Sequence, residues 1–205
     1  MSKEENIHPV FDTLVQRQER ESRNLHRAAV VWLTGLSGSG KSTIAAAVER
    51  ELFSRKWQVR VLDGDNVRSG LNEGLSFSMA DRRENTRRVA EVAKLFTSTG
   101  IVTLCSFVSP TQDMRAFAKT IIGADDFHEV FVKADLQTCE QRDVKGLYAK
   151  ARAGQLKGFT GIDSPYEQPK SPNVLLDTTR QSVEESKDQL LRYITNKLGP
   201  TPAHS

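Results

Sequence analysis

Two hydrophobic rhythms take turns along the chain. Residues 28–34 (AAVVWLT) form a continuous apolar run, the pattern of a strand buried on both faces. Shorter runs at 58–62, 101–108, 127–133 (FHEVFVK) and 174–176 predict four more strands. Between them, apolar residues return every three or four positions. Residues 42–56 place Ile44, Ala45, Val48, Leu52 and Phe53 at helical spacing. Residues 82–99 do the same with Val89, Val92, Ala93 and Phe96, and Gly100 ends that helix. Further helices are predicted over 111–122, 136–143 and 182–198. Strands alternating with helices imply βαβ units, hence an α/β fold: a five-stranded parallel sheet with helices on both faces. Residues 1–27 read as a polar, partly helical N-terminal extension, 28–198 as one domain and 199–205 as a disordered tail. The stretch 144–171, with glycines and prolines toward its end, reads as a mobile segment.

Composition narrows the class. With 205 residues, 38% hydrophobic and 27% charged, the chain is of single-domain size and globular character. No apolar stretch approaches the roughly 18 residues of a membrane-spanning helix. The N-terminus lacks the apolar centre of a signal peptide, so a cytoplasmic location without a membrane partner is expected. Cys105 and Cys139 are far apart and form no metal or redox motif; Cys105, inside an apolar run, reads as a buried small hydrophobe. His8, His26, His128 and His204 are scattered, and none is assigned a catalytic role. The net charge of +3 fits an anionic ligand without singling out nucleic acid, which is not an expected partner. Its placement says more: residues 145–160 carry Lys145, Lys150, Arg152 and Lys157 with no acid, the composition of a basic lid over phosphates.

The sharpest motif is Gly35-Leu36-Ser37-Gly38-Ser39-Gly40-Lys41-Ser42, which fits G-x-x-x-x-G-K-[ST] and lies between a predicted strand and a predicted helix. Glycines let the backbone wrap an anion with its N–H groups pointing inward. The helix that follows aims its positive end at the same phosphates. Lys41 is placed for the β- and γ-phosphates of ATP and the Ser42 hydroxyl for Mg²⁺, with Thr43 next in line on the helix. The motif secures a nucleoside triphosphate site but leaves GTPase, ATPase, kinase and non-catalytic switch open. An N-K-x-D base-reading motif is missing: Asn196-Lys197 lacks the acid two residues after the lysine.

A phosphoryl-transfer site also needs a carboxylate, and in an open α/β sheet it should sit at a C-terminal strand end. Asp63 and Asp65 end the second strand around Gly64, where a tight bend is expected. Asp63 is the candidate for assisting the acceptor hydroxyl, either as base or through the metal, with Asp65 as the substitute. Beyond it lie Arg68, Phe77, Arg82 and Asn85; the last two are three apart and share a helix face. Guanidinium groups bind oxyanions in bidentate fashion and a ring stacks on a purine, so the acceptor described is flat and negatively charged. Arg83, Arg87 and Arg88 on the same helix read as water-facing.

Taken together, GLSGSGKST (35–43), LDGDNVR (62–68), ADRRENTRRVAEVAKL (80–95), SFVSP (106–110), KGLYAKARAGQLKGFTGIDSPYE (145–167) and LDT (176–178) resemble the adenylylsulfate (APS) kinase family. The resemblance runs from about residue 28 to residue 178 and is to the stand-alone form. It implies a P-loop kinase domain that moves the γ-phosphate of ATP, with Mg²⁺, to the 3′-hydroxyl of APS, giving ADP and PAPS in sulfate activation. It implies an acid at Asp63 near the acceptor hydroxyl and APS contacts at Asp65, Asn66, Arg68, Arg82 and Asn85. Phe77 and Phe159 match the rings that sandwich the APS adenine, Val108 and Ser109 the strand end lining that pocket, and Lys145 and Leu147 the lid base. Arg142 and Thr178 fall near the ATP adenine. Ser109 matches a serine sometimes described as a phosphoenzyme intermediate, although in-line transfer needs none; it reads here as a substrate contact. A homodimer is implied as well. Two departures stand out: Ser76 replaces a common glycine before Phe77, where its side chain could tilt the ring, and Val108 replaces a frequent isoleucine. The competing readings are another small-molecule kinase on the same scaffold and a non-catalytic ATP-binding module.

Overall fold

A computed structural model of the chain describes residues 10–200; residues 1–9 and 201–205, the greater part of the expected tail, lie outside the described residues. Five parallel strands form one sheet: β1 (Val30–Thr34), β2 (Val59–Asp63), β3 (Val102–Ser106), β4 (Phe127–Lys133) and β5 (Val174–Asp177), in the order β2-β3-β1-β4-β5. All five predicted strands are present.

The alternation of β1 decides which helix goes where. Val31 and Leu33 face a core shared with α2 (Lys41–Ser54) and α8 (Val183–Leu198), through Ile44, Val48, Leu52, Leu190 and Ile194. Val30 and Trp32 point the other way, toward α4 (Met79–Ser98) and α5 (Gln112–Ile122), through Val89, Ala93, Ala118 and Ile122. Every residue of β1 is buried, as a central parallel strand requires. Trp32, with no exposed surface, packs on Phe107 and Phe127 and contributes about 2–3 kcal/mol through burial alone. Cys105 is fully buried, as its apolar run implies.

Sequence and structure differ in three places. The expected bend at Gly64 is instead a short helix, α3 (Gly64–Arg68). Asp63 caps it by accepting from the Asp65 amide at 3.1 Å, and Gly64 is not in the left-handed region. The stretch 144–171, read as a mobile segment with no element assigned to it, contains α7 (Leu147–Arg152) and a bridge between Thr160 and Ser164. Asp143 satisfies the amides of Tyr148 and Ala149, which lets so short a helix form. α4 begins at Met79 rather than residue 82, because the Ser78 hydroxyl caps the Asp81 amide at 3.1 Å. α6 (Leu136–Arg142) follows β4 as expected.

The N-terminal extension contributes α1 (Arg17–Asn24), and α1 is fastened to the domain. Arg17 grips Asp126 with two hydrogen bonds of 2.6 and 2.8 Å and donates to the Ala28 carbonyl. Asn24 reaches the Gly100 carbonyl at 3.1 Å. Gly100 has φ +84°, and a Cβ there would stand 2.9 Å from both Arg20 Cβ and Asn24 Nδ2. Replacing Gly100 with Ala should destabilise the protein by about 2–3 kcal/mol, part from backbone strain and part from displacing α1. Gly74 has the same φ of +84° with nothing within 4 Å, so Gly74→Ala isolates the strain. Denaturant melts of both variants should show Gly100→Ala as the less stable; equal losses would mean that α1 is not packed there.

Candidate active site

The loop between β1 and α2 is pressed into place from outside. A Cβ on Gly35 would lie 2.4 Å from the Val132 carbonyl oxygen of β4, and one on Gly38 would lie 3.0 Å from the Cys139 carbonyl of α6. Gly40, at φ +97°, turns the chain into α2 as its N-cap. The first amides of α2 have no partner inside the helix and are available to an anion. Lys41 is buried at 7% exposure, its Nζ donating to the carbonyls of Gly35 and Leu36 at 3.0 and 2.8 Å. Burial pushes this ammonium down to about 8; nearby Cys139 and Asp63 oppose the shift and Lys145 adds to it. A phosphate placed against Lys41 favours its charged form.

Strand register brings the acid to this loop. Asp63 pairs with Ser106 at the C-terminal ends of β2 and β3. Its Oδ2 accepts from the Ser42 hydroxyl at 2.6 Å, and Ser106 Oγ stands 3.2 Å from the same hydroxyl. Three hard oxygen donors, one of them a carboxylate, are thus gathered at the start of α2. This set suits Mg²⁺, which keeps waters and substrate phosphate oxygens as its other ligands, and not Zn²⁺, which favours nitrogen and sulfur. Among the described residues no group of three or more His, Cys, Asp or Glu gathers as a metal cluster.

The second half of the site lies past Asp63. Phe77 carries the Arg68 guanidinium 4.4 Å and the Arg82 guanidinium 5.6 Å from its ring centre. Arg68 donates to the Leu75 and Ser76 carbonyls, Arg82 to those of Phe77 and Gly158. Burial lowers both guanidinium pKa values from the ordinary one, yet arginine keeps its charge. Asn85, nearly buried, accepts from Asn72 at 3.0 Å. Ser76 turns its hydroxyl to Asp81, to which it donates. Arg87 and Arg83 are exposed, pairing with Glu84 and Asp113, whereas Arg88 is half-buried, pairing with Glu84 and donating to the Leu71 carbonyl.

The strand end and the lid close the remaining sides. Val108 accepts from Thr34 through its carbonyl at 2.7 Å. Ser109, buried and at φ 41°, accepts the Trp32 indole N–H on its hydroxyl at 3.0 Å. Lys145 pairs with Asp65, and Leu147 opens α7. Phe159 packs edge-on against Tyr148, whose hydroxyl donates to the Ser37 carbonyl at 2.9 Å. Arg142 donates to the Thr178 carbonyl at 2.7 Å and to Gly38 at 3.3 Å.

A single cavity of about 590 Å³ joins these parts. Its wall includes Ser37, Gly38, Gly40, Lys41, Ser42 and Thr43 of the loop side, Asp63 and Asp65, and Arg68, Phe77, Arg82 and Asn85. Val108, Ser109, Arg142, Lys145, Leu147, Phe159 and Thr178 complete it. Four expected residues are not on the wall. Gly35, Leu36 and Ser39 belong to the loop but are off the wall, and Asn66 is exposed on α3. The sequence reading missed Ser106, which only strand register reveals, and Tyr148, hidden inside the lid stretch. It also missed Asn72, whose role depends on its contact with Asn85.

A sequence model described as adenylylsulphate kinase matches residues 27–177. The chain belongs to this family. The adenylyl-sulfate kinase of Bacteroides fragilis is 54% identical over 194 residues, 95% of this chain and 96% of that protein. The Bacillus pumilus adenylyl-sulfate kinase is 54% identical over 94% of this chain and 98% of its own. Among solved structures, the Mycobacterium tuberculosis APS kinase in complex with AMPPNP and APS matches with a TM-score of 0.78 and 50% identity, covering 81% of this chain and 96% of that one.

The loop of this family member has an inflexible dimension at Gly35. Gly35→Ala should weaken binding of a non-hydrolysable ATP analogue about 100-fold or more, equivalent to about 2.7 kcal/mol, because the added methyl drives the loop off the Val132 carbonyl. Calorimetric titration checks this; affinity within twofold of the parent would show that the loop tolerates displacement.

Proposed function

We propose that this chain transfers the γ-phosphate of MgATP to the 3′-hydroxyl of adenosine 5′-phosphosulfate, releasing ADP and PAPS. One observation carries the reading: the phosphate loop and the Arg68–Phe77–Arg82–Asn85 group line the same cavity, whose wall also holds Asp63, bonded to Ser42 on one side and to the Asp65 amide on the other. Two nucleotides bound in these halves meet at Asp63, the arrangement that in-line transfer needs.

Each group then has a task. The loop amides and Lys41 hold the triphosphate. Arg68 and Arg82 neutralise the acceptor's phosphosulfate, while Phe77 and Phe159 take its adenine. Asn85 orients the acceptor, and Asp63 lies where it can accept the proton of the hydroxyl. Ser42, Asp63 and Ser106 would hold Mg²⁺, which supplies charge neutralisation on the β- and γ-phosphate oxygens when bound. Arg142 and Thr178 bracket the loop from the side given to the ATP adenine. The lid, tied to the phosphate loop by Tyr148–Ser37, would shield the substrates from water, which strengthens the field of these cations. Among the described residues no helix is long and apolar enough to cross a membrane. The homodimer implied by the resemblance belongs to this reading as its assembly state.

A coupled assay of ADP release decides the acceptor. APS should drive turnover, while AMP, dephospho-coenzyme A and sugar acids should not; equal release with any of these would replace the acceptor assignment. Asp63→Asn should lower kcat by about 100-fold or more while leaving the fold intact. Retained turnover would remove Asp63 from the chemistry.

Ser109 separates direct transfer from a phosphoenzyme. Its hydroxyl oxygen accepts the Trp32 indole N–H, and its exposure is 6%. Ser109→Ala should therefore keep kcat within about tenfold, well above the collapse expected on losing a covalent nucleophile. Loss of all turnover, with a phosphoserine recovered from the parent protein, would reverse this.

A further inference from the structure

Arg115 is a buried charge with no part in the steps above. It sits on α5 at 3% exposure and does not line the cavity. Its three guanidinium nitrogens go to three different parts of the chain. Nε donates to Glu129 of β4 at 2.7 Å, Nη1 to the Ser109 carbonyl at 2.8 Å, and Nη2 to the Glu167 carbonyl at 2.8 Å. Glu129 supplies the counter-charge that a buried guanidinium requires. The two carbonyls have another significance, because neither belongs to a strand or helix.

Ser109 lies three residues past the end of β3, on the cavity wall given to the acceptor. Its φ of 41° is a left-handed conformation that a side-chain-bearing residue holds only when its surroundings fix it. Glu167 is where the lid rejoins the core. Its amide donates to the Pro110 carbonyl at 2.8 Å and its carboxylate accepts the Gln112 amide at 2.8 Å. Just before it, the Tyr166 ring lies 5.9 Å from the Arg115 guanidinium, and the Tyr166 hydroxyl bonds Thr34 at 2.9 Å. Thr34 in turn donates to the Val108 carbonyl. The trailing end of the lid and the end of the acceptor strand are therefore laced together, with Arg115 at the centre.

We infer that Arg115 is a positioning residue for the phosphoryl transfer: its guanidinium fixes the acceptor wall at Ser109 and the lid's trailing anchor at Glu167 as one unit. This inference rests on the APS acceptor reading. Because the lid's trailing end and the pocket wall share one cation, the lid closes in register with the acceptor it covers. A planar guanidinium reaches three acceptors in fixed directions; an ammonium on a flexible stem does not.

Arg115→Lys keeps the charge beside Glu129 and surrenders the shared geometry. It should raise the KM for APS about tenfold or more, leave the affinity for a non-hydrolysable ATP analogue within twofold, and speed amide exchange across residues 157–167. A purely structural role would lower thermal stability with no change in APS KM, and that outcome overturns the inference. If Arg115→Lys does not fold, the double variant Arg115→Met, Glu129→Gln removes the cation and its counter-charge together, so the links to the Ser109 and Glu167 carbonyls are lost without leaving an unpaired buried charge. It should raise APS KM and lid exchange together, and an unchanged APS KM there counts equally against the inference. If the parent protein itself shows no APS-dependent ADP release, the acceptor reading fails instead, and amide exchange at 157–167 alone decides whether Arg115 anchors the lid.

Discussion

There is no room for a methyl group between Gly35 and the Val132 carbonyl, and the rest of the site is arranged around that fact. The phosphate loop is not a flexible strap that finds its shape on contact with a nucleotide. It is packed between the end of β4 and the backbone of α6, at Val132 and Cys139, contacts that restrict its shape without a nucleotide. Preorganisation of this kind lowers the cost of binding a highly charged ligand, since the dipoles need not reorient. A parallel sheet then does the remaining placement. β2 and β3 end level with each other, so Asp63 and Ser106 stand side by side, and both reach Ser42 at the start of α2.

How much of this was legible in the sequence depended on how local each cause is. The five strands were legible as short β-rich runs, and β1 most clearly, because a parallel strand buried on both faces must be apolar throughout. The phosphate loop was legible because its requirement for glycine is written in consecutive residues. The acceptor half was legible in part: Arg82 and Asn85 share a helix face by spacing alone, and both reach the cavity. α3 and α7 were not legible. Each is held by a carboxylate just before it, Asp63 and Asp143, and in sequence such an acid reads equally well as a turn. Ser106, Tyr148 and Asn72 were invisible for another reason: each matters only through a partner at least 13 residues away. The resemblance carried Asn66 into the acceptor set, whereas on α3 it is exposed and off the cavity wall.

The lid links the two halves by touching both. Tyr148 bonds the phosphate loop at Ser37, while Gly158 accepts from Arg82 on the acceptor side. Its leading end follows α6, whose last residue, Arg142, is tied to Thr178 and Gly38. Its trailing end is tied through Arg115 to Ser109. Each end of the lid is therefore anchored by an arginine beside one half of the cavity. A segment so attached has few ways to cover one substrate without sensing the other.

The way the cations are held explains how the cavity can stay electropositive without being loose. Lys41, Arg68, Arg82 and Arg142 are each oriented by backbone carbonyls. A carbonyl aims a cation but does not cancel its charge, so each remains available to an anion in the geometry already set. A carboxylate in the same role would have neutralised the site and required exchange of one ion pair for another, with a desolvation cost on both sides. The exception is Lys145, paired with Asp65 at the exposed edge of the lid, where water screens the pair and its contribution is small. Strong cations are thus held by neutral partners where phosphates must bind, and the Lys145–Asp65 pair sits apart from them at the exposed edge of the lid.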